Sequence, residues 1–311
     1  MVIHGNLCIL ALDSLCISSR KSLFPSWVLN MLAKSWHLRS RVLEFGPLPA
    51  LMAIVNVTPD SFSDGGRFFS PRAAVEQALR LEDEGAAILD IGGESTRPYS
   101  EPVAIDDELR RIVPVLESLH GRIQIPISID TSKAEVAEAA MQLGAEIIND
   151  VTGLTGDAAM VEVAVRTGAG VCAMHMQGTP QTMQDNPQYQ DVVREIVQYL
   201  QQRDEALQNA GIQPEKICLD PGIGFGKTHQ HNLQLLQQCS EFHQLQRPLL
   251  VGHSRKGFIA HVIGNKERER LYGTIGVSLA LARQRIQVLR VHDIRPIREA
   301  MLLYAASGGL A

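Results

Sequence analysis

Residues 125–149 read IPISIDTSKAEVAEAAMQLGAEIIN. The stretch opens on a short apolar run, Ile125-Pro-Ile-Ser-Ile-Asp130, which has the length and β-branched content of a strand and ends on a carboxylate. Ser132-Lys-Ala-Glu135 then has the spacing of a capping box and predicts a helix start. A second short run, Ala145-Glu-Ile-Ile-Asn149, also ends on a polar side chain. Strand, helix and strand in that order imply two parallel strands joined by a helical crossover.

The same unit repeats in both directions. Upstream lie Leu51–Asn56 and Ala87–Ile91; downstream lie Gly170–Met174, Ile217–Asp220, Leu249–Gly252 and Val288–His292. Between them the apolar residues adopt helical spacing. Ser70 and Pro71 open a helix carrying Val75, Ala78 and Leu79 on one face. Ile105, Leu109, Ile112, Val113 and Leu116 mark a second, with Pro114 expected to kink it. Further helices follow from about Asp157, around Val192, Val193, Ile196 and Leu200, and from Pro296 to Ala306. Eight such units in roughly 260 residues have the size of a closed α/β barrel, the (β/α)8 TIM barrel, as a single domain. An open doubly wound sheet would carry a Gly-rich turn after the first strand, where Val57-Thr-Pro-Asp60 stands instead.

Composition narrows the class. Of 311 residues, 45% are hydrophobic and 20% charged, which excludes a disordered or collagen-like chain. Apolar runs fall short of the roughly 18 residues of a membrane span, and a net charge of −5 argues against nucleic acid as a partner. The charge is uneven. Residues 1–43 hold Arg20, Lys21, Lys34, Arg39 and Arg41 against Asp13 alone, leaving 24 basic and 33 acidic residues in 44–311. Both tryptophans, Trp27 and Trp36, also fall early. Residues 1–45 are therefore set apart as an N-terminal extension, with 46–311 as the barrel. The extension's apolar stretch Leu7–Leu12 precedes its basic residues, the reverse of a secretory signal. Its composition suits an organellar transit peptide or a start at Met31. Five cysteines without CxxC spacing point to a reducing compartment, the cytoplasm, with Cys172 and Cys218 in core strands.

The strand ends carry the chemistry. Asn56, Asp90, Asp130, Asn149, His175, Asp220, Ser254-Arg-Lys256, Arg290 and His292 all fall there, and in a barrel they converge on one mouth. The acids and amides suit a flat, nitrogen-rich heterocycle, while Lys256, Arg290, His292 and Arg97 bring positive charge for phosphate or carboxylate. Other motifs fail. Gly222-Ile-Gly-Phe-Gly-Lys-Thr228 has Pro221 where a phosphate loop needs glycine, and is expected to form a backbone-lined wall. Asp60–Gly65 begins like a calcium loop but places Phe62 and Pro71 at ligand positions. His229 and His231 read as a helix start rather than a zinc pair.

The signatures Ile54–Gly66 (IVNVTPDSFSDGG) and Asp90–Pro98 (DIGGESTRP) resemble those of the dihydropteroate synthase family. Ile129–Ser132, Ile148–Asp150, Met174–Gly178, Leu219–Gly222, Gly226-Lys227, Ser254–Lys256 and Arg290–Asp293 follow in family order, so the likeness spans about residues 50–306. It implies a transferase of folate biosynthesis that joins 6-hydroxymethyl-7,8-dihydropterin diphosphate to 4-aminobenzoate, releasing diphosphate. On the matching positions, Asp130, Asn149, Asp220 and Lys256 would hold the pterin, with Met174 and Thr96 also in contact with substrate. Arg290, His292 and Asn56, with Mg2+ on Asn56, would hold the diphosphate. Ser95, Arg97, Pro98, Phe62, Phe225 and Ser254 would form the 4-aminobenzoate pocket, which sulfonamides occupy in this family. Asp64, in a loop that would close over the site, is the candidate for stabilising a cation-like methylene, with Arg97 and Lys256 also placed in the catalytic set. A homodimer is implied as well. His253 stands where the family commonly has an apolar residue, which bears on sulfonamide response. A pterin-binding methyltransferase barrel and an inactive pterin-binding module are the alternatives; the first leaves Ser95–Pro98 unexplained, and intact Asn56, Asp130, Lys256 and Arg290 oppose the second.

Overall fold

The computed structural model describes residues 32–58 and 71–310. Two short antiparallel strands come first, β1 (Ser35–His37) and β2 (Val42–Glu44). Eight longer-range strands follow: β3 (Ala50–Asn56), β4 (Ile88–Gly92), β5 (Ile127–Asp130), β6 (Ile147–Asp150), β7 (Gly170–Met174), β8 (Ile217–Asp220), β9 (Leu250–Gly252) and β10 (Val288–Val291). Their order is β8-β7-β6-β5-β4-β3-β10-β9, every paired neighbour is parallel, and a bridge between Leu219 and Leu249 joins the two edges. This is the (β/α)8 barrel that the alternation implies.

The helices are α1 (Pro71–Asp83), α2 (Ile105–Leu119), α3 (Ala134–Gln142), α4 (Met160–Thr167), α5 (Val192–Asn209), α6 (His229–Gln237), α7 (Gly257–Ile263), α8 (Leu271–Arg283) and α9 (Ile294–Ala306). Two of them, α7 and α8, occupy the single crossover between β9 and β10. Helix α2 runs unbroken through Pro114. The capping box expected at Ser132 does not form. Helix α3 starts two residues later, and its first N–H, that of Ala134, is accepted by Asp157 Oδ2 at 2.8 Å from the loop after β6. A carboxylate supplied by tertiary structure thus replaces the local cap. His231 does cap α6, exchanging hydrogen bonds with Thr228.

Strand periodicity sorts the barrel interior into layers. Side chains alternate between faces, so inward positions recur every second residue. Met52, Ile88, Ile147, Cys172, Cys218, Leu250 and Val288 form one apolar cluster in the lower barrel. Two residues further along, the same strands carry Ile54, Asp90, Asn149, Met174, Asp220, Gly252 and Arg290. One step up, Asp90, Asn149, Asp220 and Arg290 therefore bring polar and charged groups into the lining beside Ile54 and Met174.

The lower layer is sealed by the β1–β2 hairpin. Trp36 and Leu38 belong to that apolar cluster, and Trp36 is fully buried. Its indole Nε1 donates to Lys216 O at 2.9 Å. Arg41 Nε meets Glu146 Oε1 at 2.6 Å, and Lys216 Nζ donates to Leu38 O at 3.1 Å. Residues 35–44, assigned to the extension on composition, are thus part of the barrel's packed body. Two of the segment's basic residues help to dock it: besides Arg41, Arg39 Nη1 donates to Met141 O.

Candidate active site

The mouth is assembled from strands far apart in the chain. Arg290 on β10 forks across it: Nε meets Asp90 Oδ2 of β4 at 2.5 Å, and Nη2 meets Asp130 Oδ2 of β5 at 2.5 Å. Asn149 on β6 donates from Nδ2 to the same Asp90 oxygen at 3.1 Å. Four strands are thereby tied at one level. Asp90 Oδ1 and Asp130 Oδ1 are buried and have no hydrogen-bond donor among the described residues. Buried acceptors without donors are costly, so these two oxygens favour a ligand with N–H groups. Burial pushes the Asp130 carboxyl above its usual range despite Arg290.

Asp220 closes β8 beside them. Its Oδ1 accepts from Gly222 N at 2.7 Å, and burial raises its pKa against the pull of Lys256. The chain then runs through Gly222–Gly226 as a wall of backbone, as its composition suggests. Lys256 lies along that wall, donating to Ile223 O, with Nζ 4.5 Å from the Phe225 ring centroid. At Gly224, with φ +86°, a Cβ would meet Lys256 Cδ at 2.9 Å, so a glycine there leaves the lysine its path. Desolvation lowers Lys256 to about 7, opposed by Asp220.

The rim near β10 differs from expectation in charge. His292 Nδ1 lies 3.0 Å from Ser254 Oγ. Burial, then Arg255 and Arg290, lower its pKa to about 4. It is therefore a neutral hydrogen-bonding group at neutral pH, not the cation expected from its type. Arg97, exposed on the loop after β4, also depresses His292. The loop is internally braced: Ser95 Oγ accepts from Arg97 N, and Ser100 Oγ donates to Ser95 O at 2.5 Å. Tyr99 ties it to the loop after β7 through Pro180 O and Asp185 Oδ1.

Of the residues expected in the site, Asp130, Asn149, Met174, Asp220, Phe225, Ser254, Lys256, Arg290 and His292 come from strand ends or the loops leaving them, and Asn56 is half-buried at the end of β3. Ser95, Thr96, Arg97 and Pro98 follow β4. Phe62 and Asp64 lie outside the described residues. His253 points away from the mouth. It is fully buried, its Nε2 is 2.8 Å from Ser278 Oγ on α8, and burial lowers its pKa to about 4.

The sequence leaves two roles unassigned. Asp90 is the hub of the polar network; the signal was its inward position two residues after Ile88. Lys227, only 2% exposed, lies 3.0 Å from His175 Nδ1 and donates to Phe225 O at 2.8 Å, pinning the glycine wall to the end of β7. Burial pushes Lys227 well below, and His175 down to about 3.

The comparisons agree with this geometry. The profile of the pterin binding enzyme family matches residues 52–292. Dihydropteroate synthase of Escherichia coli strain K12 is 45% identical over 259 residues, spanning 83% of this chain and 92% of its own. The chain belongs to the dihydropteroate synthase family. Among solved structures, the Yersinia pestis synthase in complex with a sulfonamide drug superposes with a TM-score of 0.83 at 41% identity, covering 88% of this chain and 99% of that one. The Xanthomonas albilineans synthase in complex with 7,8-dihydropteroate gives 0.80 at 38% identity, over 89% and 100%. Membership makes the protein a transferase of folate biosynthesis, and decides against the methyl-transferring barrel.

Proposed function

We propose that the mouth divides the dihydropteroate synthase reaction among three regions. The ring of 6-hydroxymethyl-7,8-dihydropterin diphosphate lies against Asp90, Asp130, Asn149 and Asp220, with Lys256 and Met174 beside it. Its diphosphate points to the β10 rim, where Arg290, His292 and Ser254 gather near Asn56. 4-Aminobenzoate enters between Ser95–Pro98 and Phe225. The single observation that carries this is the pair of buried oxygens Asp90 Oδ1 and Asp130 Oδ1 within the Arg290 network, which have no donor among the described residues and match the N–H edge of a pterin.

The donor set at the rim fits magnesium. A hard cation of this size takes one or two protein oxygens and fills the rest of its octahedron with water and substrate phosphate. Asn56, at the end of β3, would offer one amide oxygen. Bound there with the diphosphate, the ion would neutralise charge on the leaving group. The protein's part is binding and orientation. The aminobenzoate nitrogen forms a bond to the pterin methylene carbon, the C–O bond to diphosphate breaks with its electron pair, and the amine releases a proton. No protein nucleophile enters. His292, held neutral, can donate one hydrogen bond to a phosphate oxygen without adding charge.

Buried, unpaired Cys172, Cys218 and Cys239 support a reducing, cytoplasmic location. We also propose a homodimer, which would cover the exposed Val262 and Tyr272 of α7 and α8. The reaction itself is tested by incubating the purified chain with Mg2+, the pterin diphosphate and labelled 4-aminobenzoate. Labelled dihydropteroate and diphosphate are expected in equal amounts, and chelation should abolish both. Folded protein that yields neither overturns the assignment.

A further inference from the structure

Behind the loop that carries Ser95–Pro98 sits a charged triad that no substrate contact explains. Lys133, just before α3, places Nζ 2.6 Å from Glu94 Oε2 and 2.5 Å from Glu108 Oε2. Glu108 lies in the first turn of α2 with its side chain fully buried, and its other oxygen has no partner among the described residues. Glu94 immediately precedes Ser95, and its second oxygen accepts from Val103 N at 2.8 Å, closing the loop into a ring of ten residues. The fit is tight: a Cβ at Gly93 would meet Glu108 Cγ at 2.9 Å, and Arg111 Nη1 donates to Gly93 O at 2.7 Å.

We infer that Lys133 is a positioning residue for the second substrate: by holding Glu94 against Glu108 it sets the height and tilt of the loop that receives 4-aminobenzoate. The inference rests on the assignment of Ser95–Pro98 to that substrate. Its physical basis is an asymmetry. Buried ion pairs add little net stability but are strongly disfavoured when one partner is removed. Without Lys133, two carboxylates share one pocket, one of them buried in α2 and immovable. The other is Glu94, on a loop held by its own hydrogen bonds rather than by a helix. Relief of the repulsion therefore moves the loop and leaves the strand-end residues that hold the pterin untouched.

Lys133→Met should raise KM for 4-aminobenzoate about 10- to 100-fold, the scale of a misplacement of around 1 Å, with KM for the pterin diphosphate changed by less than about twofold. Lys133→Arg, which keeps the charge between the two acids, should recover most of the loss. The two KM values rising together, or neither moving, overturns the inference. Should Lys133→Met fail to fold, Glu94→Gln cuts only the loop arm and leaves Lys133 on Glu108; it should show the same selective rise, and an unchanged KM sinks the idea. A readout independent of turnover separates the clamp from the assigned reaction. Amide exchange across residues 94–103 should accelerate in the Lys133→Met or Glu94→Gln chain while β10 keeps its protection. Unchanged exchange there removes the clamp whatever the substrate is. A wild-type chain that makes no dihydropteroate while the exchange result holds removes the substrate assignment alone.

Discussion

The two ends of the barrel are lined by the same strands and obey opposite rules. At the lower end Trp36, Met52, Ile88, Ile147, Cys172, Cys218, Leu250 and Val288 pack with Leu38 in a closed apolar layer. The Trp36 indole at its edge donates to Lys216 O, and β5 contributes Ser128, whose buried Oγ has no partner among the described residues. One inward position higher, Asp90, Asn149, Asp220 and Arg290 put charge into a buried space, and carboxylate oxygens lack donors. The difference teaches how the fold tolerates its site. Burial of charge at the mouth is unfavourable, and it persists because the layer directly beneath is held by hydrophobic packing and a hairpin plug.

The largest effect should come from breaking the lower end. Trp36→Ala deletes the fully buried side chain at the centre of the plug and leaves a cavity among residues from several strands. Such truncations cost about 3–5 kcal/mol. Urea unfolding should show that loss, while KM for both substrates in the protein that remains folded stays at the wild-type value. A Trp36→Ala enzyme with altered KM would mean that the two ends are not independent.

That plug also marks the limit of what the sequence reveals. The eight parallel strands are legible because each is a short apolar run ending on a polar residue. The hairpin is not, because β1 and β2 are three residues each, too short for a periodicity, and their basic surroundings read as a foreign segment. The same split holds in the site. Asp130, Asn149, Asp220 and Lys256 stand out at strand ends. Asp90 stood among them, but its role as hub depends on Arg290, 200 residues away. Glu94, Glu108 and Lys133 likewise meet only through folding. Positive charge at His292, expected from residue type, fails because burial and three guanidiniums, Arg255, Arg290 and Arg97, favour the neutral ring.

At the upper end, Lys256→Ala should behave as the converse of Trp36→Ala. It removes a charged donor lying along the glycine wall beside Asp220, a contact of a kind worth about 1.5–3 kcal/mol to a bound anion or ring acceptor. The expected loss in kcat/KM for the pterin diphosphate is of the order of 100-fold. Desolvation already disfavours this ammonium in the folded chain. The melting temperature should therefore move by no more than about 2–4 °C. Unchanged turnover would remove Lys256 from the site, and a large fall in melting temperature would make it a structural residue instead.

The smallest effect, and the one that sets function against stability most directly, is in pH. Lys256 is held down to about 7 by desolvation, against an ordinary value of 10.5. In the free enzyme it is a cation below about 7 and neutral above, so kcat/KM for the pterin diphosphate should fall as pH rises through 7, by up to about tenfold per unit. Stability runs the other way. The folded state disfavours the ammonium, so this group's cost is fully present below its folded pKa. That cost is relieved as pH climbs from about 7 to 10.5, at no more than about 1.4 kcal/mol per unit. Lys256→Arg keeps the charge at every accessible pH and should flatten the alkaline limb of kcat/KM. A limb that survives that substitution belongs to another group of the mouth. Burial-raised Asp130 would instead supply an acid limb, as protonation turns its acceptor into a donor. Trp36→Ala, acting a layer below, should leave both limbs where they are and lower only the amount of folded enzyme that displays them.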